Sequence, residues 1–141
     1  MKRLSDYQVA GIVLTVFAEY RENYIAPAGY YDDSADMNDE MLKRVNAAGA
    51  AMTVRQFSAR LFRICRKLAQ IGVLYGRTIC TQKEYVGEPI MERQYLWVKP
   101  WYALRLRPDG SHYAPQGTPE EELKFMLRHF PGRQSRRKAA T

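Results

Sequence analysis

Five residues, Gln56, Arg60, Arg63, Lys67 and Gln70, recur at steps of four, three, four and three. That spacing lines them up along one side of a helix. Arginine, lysine and glutamine at such positions donate hydrogen bonds to base edges and neutralise phosphates, so the chemistry they offer is recognition of a polyanion. Arg55 and Arg66 lie on the same segment, and Arg77 and Lys83 follow it. No Asp or Glu occurs between residues 53 and 83, where seven cations do. An ordinary solvated helix mixes signs to gain i,i+4 pairs; this stretch gives them up.

Catalytic chemistry finds less to work with. The two histidines, His112 and His129, have no partner at a telling spacing. The sequence holds no phosphate-binding loop, dinucleotide glycine fingerprint, nucleophile elbow or zinc spacing. Asp32, Asp33, Asp36, Asp39 and Glu40 could hold a divalent ion, as a metal-dependent nuclease requires. The same run reads more simply as a solvated acidic loop whose aspartates cap a helix. The expectation is therefore a protein without catalytic residues, metal or cofactor.

Charge is distributed unevenly along the chain. Residues 1–52 carry five Lys/Arg against eight Asp/Glu, and residues 53–141 carry seventeen against seven. The overall balance is +7, with a pI near 9.5. Such polarity is what one end facing phosphates demands. A second basic cluster, Arg133, Arg136, Arg137 and Lys138, forms the end of the chain and reads as a flexible tail for non-specific phosphate contact. Tyr95, Trp97, Trp101 and Tyr102 lie beside Arg93, Lys99 and Arg105, an interleaving that suits stacking on unpaired bases and equally suits a strand core. Tyr30 and Tyr31, set among aspartates, read as a protein-contact patch.

These side chains need a scaffold. At 46% hydrophobic residues the composition is globular, and 141 residues suffice for one domain with its own core. Cys65 and Cys80 are too few for a disulfide framework. Cys65 lies on an apolar helical face, and the pair points to a reducing, cytoplasmic compartment. Met1-Lys2-Arg3 before the apolar run of residues 9–18 has the outline of a leader segment. Asp6 and Gln8 interrupt it, and ten apolar residues fall short of the roughly twenty needed to span a bilayer. A buried first helix is the better account, with Ser5 as its N-cap and residue 24 near its end.

Residues 25–37 read as an extended surface loop, and Asn38 or Asp39 as the cap of a second helix reaching about residue 48. Thr53 caps a third helix that Gly72 ends, with Val54, Phe57, Leu61, Ile64, Cys65 and Leu68 on its apolar side. Two strands follow, over residues 73–80 and 94–106, joined by a long tip over residues 81–93. Thr118-Pro119-Glu120-Glu121 combines a cap, Pro at N1 and a capping-box Glu, and starts a last helix to about residue 129.

Helix, helix, Gly-containing turn, basic helix and β-hairpin, in that order, resemble the winged helix-turn-helix family of DNA-binding domains. The run from Phe57 to Leu74, in which Leu68, Gly72, Val73 and Leu74 close a basic helix and open a strand, carries the resemblance over about residues 5–106. It implies an α+β fold: a three-helix winged helix-turn-helix core with a long hairpin wing and a C-terminal helix. It implies a single domain over residues 1–130, followed by the tail of residues 131–141. By the same resemblance Gln56, Arg60, Arg63 and Lys67 face the groove, and Arg77 and Lys83 place cations on the flanking backbone. The expected partner is double-stranded DNA, with RNA or single strands as variants, and the protein is a small transcription regulator, a homodimer being one form it takes. The competing readings are an adaptor that docks on a protein through residues 30–40, and the nuclease. No reading calls for a membrane.

Overall fold

A computed structural model of the chain describes residues 3–28, 34–82, 89–98 and 119–132. Within them the fold is α+β, with four helices and a two-stranded antiparallel hairpin. Helix α1 (Asp6–Tyr20) opens on a reciprocal cap: the Gln8 N–H donates to Ser5 Oγ at 3.1 Å, and the Ser5 N–H donates to Gln8 Oε1 at 2.9 Å. Its Val9, Ala10, Val13, Leu14, Val16 and Phe17 are all buried, which makes α1 the spine of the core.

The helix ends four residues earlier than its apolar pattern predicts. Arg21 adopts a left-handed conformation (φ 55°), and the chain doubles back. The return brings Ile25 beside the hairpin, where it exchanges both backbone hydrogen bonds with Tyr95, at 2.8 and 2.9 Å. Residues 25 and 26 are therefore core, not surface loop, and both are fully buried.

Helix α2 (Ser34–Ala47) starts before the expected cap at Asn38 or Asp39. Met37, Met41 and Val45, four residues apart, all enter the core, so the helix must already exist at residue 37. Asn38 is used differently: its side-chain amide donates to the Ala26 carbonyl at 2.8 Å and ties α2 to the Ile25 segment.

The turn between α2 and helix α3 (Val54–Gln70) is held by one side chain. Asn46 accepts from the Met52 N–H at 2.7 Å and donates to the Met52 carbonyl at 2.9 Å. This clasp spans two left-handed positions, Gly49 (φ 112°) and Ala51 (φ 53°). Helix α3 opens on a second reciprocal cap, between Thr53 and Gln56. It closes at Gly72, in the left-handed conformation (φ 81°), with the Gly72 N–H bonded to the Ala69 carbonyl and the Val73 N–H to that of Leu68. These two bonds satisfy carbonyls that the end of a helix otherwise leaves open. Phe57, Leu61, Ile64, Cys65 and Leu68 form its buried face, as their spacing predicts, whereas Val54 is 57% exposed.

Strands β1 (Leu74–Gln82) and β2 (Pro89–Trp97) pair from Leu74↔Trp97 to Gln82↔Pro89. The link between them is thus residues 83–88, shorter than the tip predicted over residues 81–93. The second strand starts at Pro89, a strand-initial position where the missing N–H is tolerated. Residues 99–106, predicted to continue it, lie outside the described residues. Leu74, Tyr95 and Trp97 seal one face of the hairpin onto the core, where the Trp97 ring stacks on Phe17 at 4.7 Å. Helix α4 (Pro119–Met126) ends short of residue 129 but keeps Met126, Leu127 and Phe130 buried against the start of α1. Leu123 packs 3.6 Å from where a Cβ on Gly11 would stand, and Phe130 meets Tyr7 edge to face. Among the described residues no helix is long and apolar enough to cross a membrane.

Candidate nucleic-acid interface

Because one side of α3 is sealed into the core, its remaining residues divide between two flanks and an outward face. Arg55, Ala59, Arg63, Arg66 and Gln70 are exposed. This outward stripe shares Arg63 and Gln70 with the predicted one, and Gln56, exposed as well, borders it. It is otherwise rotated toward Arg55 and Arg66.

Arg60 and Lys67 lie on the flank that leans against the start of α1, and there Asp6 gathers them. The Asp6 carboxylate accepts from Arg60 Nε at 3.1 Å, from Arg63 Nε and Nη2 at 3.0 and 2.9 Å, and from Lys67 Nζ at 2.6 Å. Arg60 also donates to the Leu4 carbonyl, and the Lys67 ammonium lies 5.8 Å from the centre of the Phe130 ring. The side chains are 14% exposed for Arg60, 28% for Lys67 and 51% for Arg63, so only Arg63 still fronts solvent broadly. Gln56 is exposed, but its side-chain carbonyl is engaged by the Thr53 N–H. Of the four residues expected to face the groove, Arg63 alone keeps a largely open side chain that is not part of a helix cap.

The electrostatics follow from this geometry. Burial pushes the Asp6 carboxyl up, but hydrogen bonds from Arg63, Lys67 and Arg60 outweigh it and hold the group well below the usual carboxylate range. The Arg63 guanidinium is raised in turn by its bond to Asp6. Three cations meet one carboxylate, which leaves an excess of two positive charges. An open cleft of about 970 Å³ adjoins them, lined by Arg3, Ser5, Asp6, Gln56, Arg60 and Arg63, with the α2–α3 turn on its far side.

The hairpin adds a second set. Arg77 donates from Nε to Gln94 Oε1 at 2.8 Å, and the buried Gln94 donates on to Glu92 at 2.7 Å. Arg93, across from Thr78 in the register, donates to the Thr78 hydroxyl at 3.2 Å. Its guanidinium lies 5.3 Å from the centre of the Tyr95 ring, over Gly76, where an added Cβ would stand only 2.3 Å from it. The Tyr95 ring also meets Phe62 of α3, edge to face at 6.3 Å. A line of rings thus fixes the Arg93 cation relative to α3. Tyr95 and Trp97 serve the core, while the predicted Trp101 and Tyr102 lie outside the described residues.

Asp6 and Arg93 were not among the predicted site residues. Asp6 follows an N-cap serine, where an acid reads only as a complement to the helix dipole. Arg93 reads as the end of the hairpin tip next to the aromatic cluster, and inclusion in β2 puts it on the same strand face as Tyr95. Lys83, Arg133, Arg136, Arg137, Lys138, Tyr30 and Tyr31 lie outside the described residues, as do Asp32 and Asp33. Asp36 and Asp39 belong to α2, and Glu40 is drawn below its usual pKa by Arg44, which it accepts from at 2.8 Å. Among the described residues no three His, Cys, Asp or Glu side chains group as metal ligands. Cys65 is buried, which pushes its thiol up, and Cys80 is exposed. No protein-family model, no curated protein and no solved structure matches this chain.

Proposed function

We propose that this chain is a double-stranded DNA-binding protein of winged helix-turn-helix type, a small transcription regulator that acts by binding and not by catalysis. The observation that carries the reading is the outward face of α3. It offers Arg55, Arg63 and Arg66, and its helix contains no carboxylate. The order of elements supports it: helix, one strand position at Ile25, helix, clasped turn, helix and hairpin, with Ile25 paired to β2. In that arrangement α3 enters the major groove, where a bidentate arginine discriminates a guanine by about 1–3 kcal/mol. The hairpin lies on the flanking backbone, with Arg77 and Arg93 as its cations.

The experiment is a duplex titration of the isotopically labelled protein followed by amide chemical shifts. Changes concentrated on residues 53–70 and at the base of the hairpin are expected. Changes confined to α2 and α4, or none, would overturn the reading.

A further inference from the structure

We propose that the cleft at the start of α1 is a phosphate-binding site whose resting counter-ion is Asp6, and that Arg63 turns from Asp6 to a backbone phosphate when duplex binds. The inference rests on the DNA-binding reading and concerns how that site is regulated.

The first argument is one of number. A single arginine forked on Asp6 would tie α1 to α3, yet three cations converge on it. One carboxylate neutralises one of them, and Arg60 and Arg63 line a cleft to which Arg3 adds another cation. A second anion completes the balance. The second argument is one of shape. Arg63 meets Asp6 through Nε and Nη2, the fork that binds carboxylate and phosphate oxygens with the same geometry. The exchange therefore needs no new donor. Asp6 acts as an internal stand-in for the ligand.

The third argument identifies which cation moves. Arg60 is held from two sides, by Asp6 and the Leu4 carbonyl, and Lys67 is held by Asp6 beside the Phe130 ring. Both remain on Asp6. Arg63, half exposed in the lining of the cleft, has no further hydrogen bond or ion pair among the described residues. When it leaves, Asp6 retains two cations, so the carboxylate is not abandoned.

The test compares wild type, Asp6→Asn and Asp6→Glu binding a mixed-sequence duplex over a range of salt. Asparagine removes the competing charge, so Asp6→Asn should bind more tightly, with the log–log salt slope unchanged because Arg63 reaches one phosphate in both complexes. Asp6→Glu keeps the charge, so it should show no such gain. Combined with Arg63→Ala, the gain should vanish. Wild type that binds duplex while Asp6→Asn binds no better overturns the exchange and leaves the DNA reading standing.

Should Asp6→Asn fail to melt cooperatively, wild type supplies the answer through the Arg63 Nε–H and Asp6 carboxyl-carbon signals. Duplex must move both, and stationary signals overturn the proposal. A parallel titration with inorganic phosphate at constant ionic strength separates the sources. Saturable shifts of these signals with phosphate but none with duplex keep the phosphate site and overturn the exchange; no shift with either overturns the site, and the DNA reading then stands or falls on whether duplex binds at all.

Discussion

Arg63 forks onto both oxygens of the Asp6 carboxylate, at 2.9 and 3.0 Å, across 57 residues of chain. Asp6, bonded also by Arg60 and Lys67, ties the start of α1 to this flank of α3, whose rotation is set by its buried face. It also divides the arginines of α3 into those that hold the fold and those that are available to a partner.

Arg63 is shared between Asp6 and the outward face, while Arg55 and Arg66 are available outright. Alanine at either should leave the thermal midpoint nearly unchanged, because exposed substitutions of this kind stay within about 0.5 kcal/mol. Duplex affinity should fall by about 1–3 kcal/mol where the residue reads a guanine. A residue that contacts phosphate should instead reduce the salt slope by about 0.9. Arg60→Ala should do the opposite, lowering stability by about 1–3 kcal/mol through the loss of charge-assisted bonds to Asp6 and Leu4. Melting curves and fluorescence anisotropy on the same preparations separate the two classes.

Asp6 also sets a pH dependence. Its folded pKa is depressed, so its contribution to stability is fully present above the ordinary carboxylate value of 3.8 and is lost as pH falls below it toward the folded value. Wild type should exceed Asp6→Asn in stability by about 1–3 kcal/mol at neutral pH, the worth of hydrogen bonds to a charged group. The gap should begin to close below about pH 4. Urea unfolding at a series of pH values measures it. A gap that stayed constant down to pH 2 would contradict the ion cluster.

The α2–α3 turn depends on Asn46. Replacing it with alanine removes both bonds to Met52 and frees the left-handed residues that aim α3. A loss of about 1–3 kcal/mol is expected in chemical denaturation. Duplex affinity should fall too, although Asn46 carries no charge to offer a phosphate.

Much of α3 was legible in the sequence, because its signals are local. Thr53 and Gln56 stand three apart and cap each other; Leu61, Ile64, Cys65 and Leu68 share one face; Gly72 takes the conformation that ends the helix. The site was legible only in part. Spacing alone groups Arg60, Arg63 and Lys67, but nothing within reach of α3 in sequence announces the carboxylate that holds them. The same gap hid Ile25. Pro27, Gly29 and the aspartates around them mark a loop by local rules, and only pairing with Tyr95 makes Ile25 a strand position. The hairpin limits shifted because alternation around residue 91 competes with Gly87 and Pro89, which read as turn residues.

The cysteines offer a check on the core. Cys65 is fully buried with its thiol pushed up, and Cys80 is exposed on β1. A thiol reagent at neutral pH should label one cysteine per native chain promptly and both after denaturation. Prompt labelling of both in the native protein would contradict the packing of α3 against α1.

The central claim, that α3 and the hairpin meet duplex DNA through their cations, is tested most directly by the salt dependence of binding. Titration of wild-type protein against a mixed-sequence duplex should give affinity that falls linearly on a log–log plot. A slope of about −3 to −6 is predicted, from roughly 0.9 per phosphate contacted by the cations of α3 and the hairpin. Absence of binding at low salt, or affinity indifferent to salt, would contradict it.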